Sequence, residues 1–83
     1  MRAVFVLIKT EPGHTTAVAN RIADLECFSE AYSISGQYDL LGKFYLEADQ
    51  DIGLFVVERV QTVAGVKDTY TLQTFNAFSG GRG

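Results

Sequence analysis

The segment Ala3-Val-Phe-Val-Leu-Ile-Lys9 limits what this chain can fold into more than any other. Its β-branched and aromatic residues favour an extended strand that is apolar at both alternating sets, with Val4, Val6 and Ile8 on one face and Phe5 and Leu7 on the other. Such a strand belongs in a sheet that is covered on both sides. A chain of 83 residues makes one domain, and a domain of that size buries only about 60–65% of its unfolded surface. Self-association is therefore the expected supplement to its stability.

Glu11-Pro-Gly13 breaks the strand, and Thr15 or Thr16 can cap a helix whose stripe Val18, Ile22 and Leu25 runs through about Glu26. From Cys27 to Ser35 the pattern is extended again, with Phe28, Tyr32 and Ile34 on one face and Ser29, Ala31 and Ser33 on the other. A corner at Gly36 joins it to a third strand, Leu40 to Glu47, so the two are expected to pair as a hairpin. Asp49 and Asp51 suit the start of a second helix, on which Ile52, Phe55, Val56, Val60 and Val63 share a face before Gly65 ends it. Val66 to about Phe78 reads as the last strand. Residues 1–78 thus form the domain, and Ser79-Gly-Gly-Arg-Gly83 is a tail with nothing to pack, expected to fray.

Strand, helix, strand, strand, helix, strand is an α+β order. Right-handed crossovers fold it into the ferredoxin-like split βαβ, a four-stranded antiparallel sheet with both helices on one face. The other face stays bare. Phe5, Leu7, Leu41 and Tyr45 are its candidate residues, and a second copy packed sheet to sheet covers them better than solvent does. A homodimer, in effect a dimeric α+β barrel, is the expectation.

Composition removes several classes of function. At 47% hydrophobic and 12% aromatic residues the chain is not disordered. A single cysteine, Cys27, allows no internal disulfide and no cysteine cluster for zinc, which fits a reducing cytoplasm. The net charge of −3, with Lys9, Arg21, Lys43, Arg59, Lys67 and Arg82 scattered, argues against a general nucleic-acid surface. The apolar run Ala3 to Ile8 falls far short of the ~20 residues of a membrane span and resembles no signal-peptide core.

The corner Gly36-Gln-Tyr-Asp39 is the candidate ligand site. Gly36 can take backbone angles closed to other residues and leaves neighbouring N–H groups uncovered, while Asp39 places a carboxylate a few residues away. Donors for an anion beside an acceptor for a cation suit a zwitterion such as a free amino acid. The same residues also suit a plain type II′ hairpin turn, so turn and site stay open together.

Other residues with chemical potential read as structural. His14 beside Pro12-Gly13 fits an exposed loop, and no second His or Cys stands at metal-ligand spacing. Cys27 has no activating neighbour in sequence and reads as a small packing residue. Asp49 and Asp51 are accounted for by helix capping, and with Glu47 and Asp39 they form no catalytic set. Gly80-Gly-Arg-Gly83 lacks the strand and helix that make a glycine loop a phosphate cradle. Tyr32, Tyr38, Tyr45, Tyr70 and the phenylalanines could suggest RNA stacking, but the signature basic and aromatic run is missing. No cofactor is implied.

The run Ser35-Gly-Gln-Tyr-Asp-Leu-Leu41, the preceding Glu30-Ala31, and Ala64-Gly-Val66 followed by Thr69-Tyr-Thr71 resemble the effector-binding (RAM-type) domain of the Lrp/AsnC transcription regulators, over nearly the whole chain. In that family a helix-turn-helix domain precedes this one. Here Met1 opens directly into the first strand, so the resemblance implies a stand-alone effector domain that does not itself read an operator. It further implies a dimer with sheets face to face, assembly into rings such as octamers, and amino-acid effectors bound between dimers near the corner. By position that assigns Gly36, Tyr38 and Asp39 to the ligand, with Thr71 on the last strand as a further candidate and Gln37 at the variable position that tunes preference.

The function expected is a non-enzymatic, amino-acid-binding module in the regulation of amino-acid metabolism, with a full-length regulator of the family as a possible partner in mixed rings. The chief alternative is a small dimeric α+β barrel enzyme of monooxygenase or isomerase type, which would need a cavity holding His14 or Asn20 with a tyrosine. A third is an assembly module that binds nothing.

Overall fold

The protein is described by a computed structural model covering residues 1–81. Its strands are β1 (Arg2–Thr10), β2 (Phe28–Ser33), β3 (Leu40–Leu46) and β4 (Val66–Leu72). The helices are α1 (Thr15–Ile22) and α2 (Ile52–Phe55), the latter running on as a π-helix over Val56–Val60. The strands form one antiparallel sheet in the order β2-β3-β1-β4, the ferredoxin-like α+β arrangement expected from the pattern.

β1 pairs on one side with β3, from Arg2 opposite Leu46 to Ile8 opposite Leu40, and on the other with β4. Side-chain alternation then divides the sheet. Val4, Val6 and Ile8, with Leu40, Phe44 and Leu46 from β3, are buried beneath Val18 and Ile22 of α1 and beneath Phe55, Val56 and Val60. Phe44 anchors this layer, its ring meeting Phe28 edge-on at 6.0 Å and Phe55 at 5.2 Å between centroids. On the opposite face Leu7 stands between Leu41 and Tyr70, and Phe5 between Lys43 and Leu72. Among the described residues no element covers that face.

Several boundaries differ from the sequence reading. The first helix stops at Ile22 rather than Glu26. Asp24 N–H donates to the Arg21 carbonyl and Leu25 N–H to that of Ile22, three-residue turns that tighten the helix end and bring Leu25 against the core. The helix is entered through His14, with no side-chain cap, since Thr15 is already helical and its hydroxyl meets that of Thr10 at 2.7 Å. Asp51 does cap α2, its carboxylate accepting the Leu54 N–H at 2.9 Å.

A bulge between Phe28 and Glu30 shifts the β2 register. The extra residue reverses the alternation, so Phe28 and Ala31 lie opposite Phe44 and Gly42, whereas Tyr32 pairs with Leu41 on the open face. Phe28 and Tyr32 therefore do not share a face. The last strand ends at Leu72 rather than about Phe78, although β1 continues to Arg2 beside it. β-Propensity does not hold a segment that lacks ladder bonds and packed neighbours. Of the expected tail, Ser79–Gly81 is irregular, and residues 82–83 lie outside the described residues.

Gly65 closes the link from the second helix to β4 at φ +97°. A Cβ there would stand 2.8 Å from Cγ2 of Val18 and 3.3 Å from Cβ of His14, so the backbone lies directly on α1. The Gly65 carbonyl accepts the Glu11 N–H, and Ala64 accepts a nitrogen of Arg21 at 2.7 Å.

Candidate functional site

The β2–β3 hairpin closes where Ile34 N–H donates to the Asp39 carbonyl at 3.0 Å and Asp39 N–H donates to that of Ile8 at 2.9 Å. Ser35, Gly36, Gln37 and Tyr38 lie between. The loop is thus a four-residue connection and not a two-residue type II′ turn. Gly36 sits at φ +106°, and no heavy atom lies within 4 Å of where its Cβ would be, so the glycine serves the backbone angle alone. Among the described residues the N–H groups of Gly36, Gln37 and Tyr38 donate no bond within the chain. They are available to an acceptor from outside.

Asp39 is held by β1. Its Oδ2 accepts the Thr10 amide at 2.9 Å and the Thr10 hydroxyl at 3.3 Å. The amide bond above all, with help from the charge of Lys9 and the Thr10 hydroxyl, holds this carboxyl below its ordinary value. Because Thr10 is buried and its hydroxyl also meets that of Thr15, one polar chain ties the loop, the end of β1 and the start of α1 together. Among the described residues Oδ1 of Asp39 has no hydrogen-bond partner.

The Tyr38 ring stacks on Tyr70 of β4, with centroids 6.3 Å apart and planes inclined by 25°. Tyr70 is opposite Leu7, on the open face; Thr71, opposite Val6, points to the helix side. The structure thus groups Gly36, Gln37, Tyr38 and Asp39 in one loop and places Thr71 on the other side of the sheet from the tyrosine stack. Thr10 and Tyr70 are the two neighbours that sequence reading did not assign to the corner. Each is remote in sequence, and only the pairing of β1 with β3 and β4 brings them there.

The open face runs on from this stack. Phe5, Leu7, Leu41, Tyr45, Tyr70 and Leu72 make it apolar. Lys43 lies amid them, its Nζ 5.8 Å from the Phe5 ring centroid, 5.1 Å from that of Tyr45 and 3.9 Å from a carboxylate oxygen of Glu30. The Tyr45 hydroxyl first, and the Glu30 charge less, hold the Lys43 ammonium above its ordinary value.

The remaining candidates stay apart. His14 is exposed at the start of α1. Cys27 is half-buried just before β2, and that burial pushes its thiol pKa up, away from nucleophile behaviour. Among the described residues no three His, Cys, Asp or Glu converge as metal ligands. The larger clefts lie away from the loop, one of about 500 Å³ beside Cys27, Phe55 and Arg59 and one of about 260 Å³ beside Arg2, Ile52 and Phe75. Neither is lined by His14 or Asn20. Among the described residues no helix is long and apolar enough to cross a membrane.

The sequence model of the Lrp/AsnC ligand binding domain matches residues 3–81. The chain belongs to the Lrp/AsnC family. An uncharacterised HTH-type transcriptional regulator of Pyrococcus abyssi is 32% identical over 75 residues, covering 87% of this chain and 50% of that protein. The chain therefore spans about half the length of the curated relatives it matches. Among solved structures, TTHA0845 of Thermus thermophilus is 32% identical with a TM-score of 0.75, and the match covers 95% of this chain and 99% of that one. The transcriptional regulator NMB0573 of Neisseria meningitidis, solved as a complex with L-Met, shares the fold at a TM-score of 0.80 and 12% identity, over 94% of this chain and 52% of that one. The Lrp/AsnC domain is a regulatory ligand-binding domain of transcription regulators, not an enzyme.

Proposed function

We propose that this Lrp/AsnC domain binds a free amino acid at the Gly36–Asp39 loop and acts as an effector-responsive assembly module. The observation that carries the reading is the make-up of that loop. Unused N–H groups follow a glycine at positive φ, and an ionised carboxylate with one open oxygen stands at the loop's end. The N–H groups suit the carboxylate of an amino acid, and Asp39 Oδ1 suits its ammonium. Gln37 and the Tyr38–Tyr70 stack stand beside this point, where a side chain would be selected. The L-Met complex of a protein with the same fold supports the ligand class.

None of the larger clefts is lined by the loop, and the pocket proposed here is completed by another copy. Pairing through the open sheet face builds the dimer, and assembly of dimers into higher rings such as octamers supplies that neighbour at the seam between dimers. An effector that touches two subunits stabilises the assembly in which both contacts exist, and so shifts oligomeric state or affinity for a partner. A full-length regulator of the same family is the partner proposed, in the cytoplasm, with this domain making no direct contact with nucleic acid. Thr71, facing the helix side, is given no ligand role on one subunit.

The test is a thermal-shift screen with the twenty amino acids followed by calorimetry. A ligand at ~100 times its dissociation constant adds about 2.7 kcal/mol to stability. The expected result is a selective rise for one or a few amino acids that Asp39→Ala abolishes. No rise with any of them, or unchanged affinity in Asp39→Ala, overturns the reading.

A further inference from the structure

β4 leaves the sheet at Leu72, and the chain beyond it carries the two most exposed large hydrophobic residues among the described residues. Phe75 is 88% exposed and Phe78 is 90% exposed. From Gln73 onward the backbone makes no hydrogen bond among the described residues. Rings of this size each remove about 150–250 Å² from water when covered, so two of them held in solvent on one short arm call for a docking surface. Gln73 to Gly81 contains no charged residue, which excludes recognition by charge and suits a site that becomes dry.

We propose that Gln73–Phe78 is an assembly arm that docks on a second copy of this chain, with Phe75 and Phe78 as anchors. The inference rests on the sheet-to-sheet pairing proposed above. Continuity with the open face carries it. Leu72, the last residue of β4, stands beside Phe5 on that face, so the arm sets out from the rim where a second copy would lie.

Charge on the face agrees. Lys43 pairs with Glu30 and Lys9 stands opposite Asp68, so two copies meet without a surplus of either sign. A stable interface takes about 800 Å² of accessible surface from each partner, and two anchored rings of about 150–250 Å² each add a substantial share to what the open face supplies. In a two-fold pair each copy both gives and receives an arm, so the contact closes on itself and does not propagate.

The experiment compares the dimer dissociation constant of the full chain with that of a Phe75→Ser, Phe78→Ser double variant, by sedimentation across a concentration series. Circular dichroism checks the fold, to which neither exposed ring contributes burial. The expected result is a dissociation constant raised at least tenfold. In parallel, Phe75→Trp introduces the sole tryptophan, and its emission is expected to shift to the blue as concentration rises through the dissociation constant. An unchanged dissociation constant overturns the arm, and so does an indole that stays solvated at every concentration. A wild-type chain that is monomeric throughout overturns the arm and the sheet pairing together, whereas an amino-acid screen without response bears only on the ligand.

Discussion

Asp39 accepts the amide of Thr10 across the end of the sheet at 2.9 Å, and this single bond joins the candidate ligand loop to the last residue of β1. Its carboxyl is held below the ordinary value chiefly by that amide. In the interval between the folded and unfolded pKa values the folded chain holds fewer protons, so stability rises with pH there. The contribution is present above the ordinary value of about 3.9 and is lost as pH falls through the lowered folded value. The melting temperature of Asp39→Asn is expected to lie below wild type by a constant gap near neutral pH, and the gap narrows below about pH 4. A gap that persists in strong acid contradicts the assignment.

Two glycines at positive φ are expected to respond differently to alanine. At Gly36 only the backbone angle is strained, costing about 1–2 kcal/mol, because nothing stands within 4 Å of the added Cβ. At Gly65 the same strain is joined by a clash with Val18 at 2.8 Å, and the cost rises to roughly 2–4 kcal/mol. Urea midpoints of Gly36→Ala and Gly65→Ala measure the order, and equal or reversed shifts count against this packing.

Phe44 is fully buried between Phe28 and Phe55. Truncating such a ring costs about 3–5 kcal/mol from a domain whose total is on the order of 5–15 kcal/mol. The unfolding free energy of Phe44→Ala is expected to fall by about 3–5 kcal/mol, as read by urea denaturation followed by near-ultraviolet dichroism. A loss under about 1 kcal/mol would mean that this ring is not the centre of the core.

Leu7 stands between Leu41 and Tyr70 at the middle of the open face. A glutamate there meets solvent in a single subunit and an apolar partner in a pair. Leu7→Glu is expected to remain folded while its dimer dissociation constant rises about 100-fold or more, because an uncompensated buried charge costs roughly 3–5 kcal/mol. Light scattering that shows the same dimer for both proteins removes the open face as the interface.

Periodicity was enough to read the architecture. The two-residue alternation of Val4, Val6 and Ile8 and the helical spacing of Ile52, Phe55, Val56 and Val60 are local records of burial, and all of them but the half-buried Ile52 lie in the core. Gly36 and Gly65 were legible for a similar reason, since a residue without a Cβ marks a backbone angle that others avoid. The Lrp/AsnC family too was readable from the spacing of the corner and the last strand.

What the chain could not state in one dimension is what pairing decides. The bulge between Phe28 and Glu30 sends Tyr32 to the opposite face from Phe28, and a one-residue slip leaves no trace in composition. Thr10 and Tyr70 reach the loop through two strand registers, while Thr71, one residue from Tyr70, is turned to the other side by the pleat. β4 stops at Leu72 because propensity without a ladder does not hold a strand, and that stop is what leaves Phe75 and Phe78 in water. Local sequence determined which residues seek cover. Only the tertiary structure decided which of them found it within one copy of the chain.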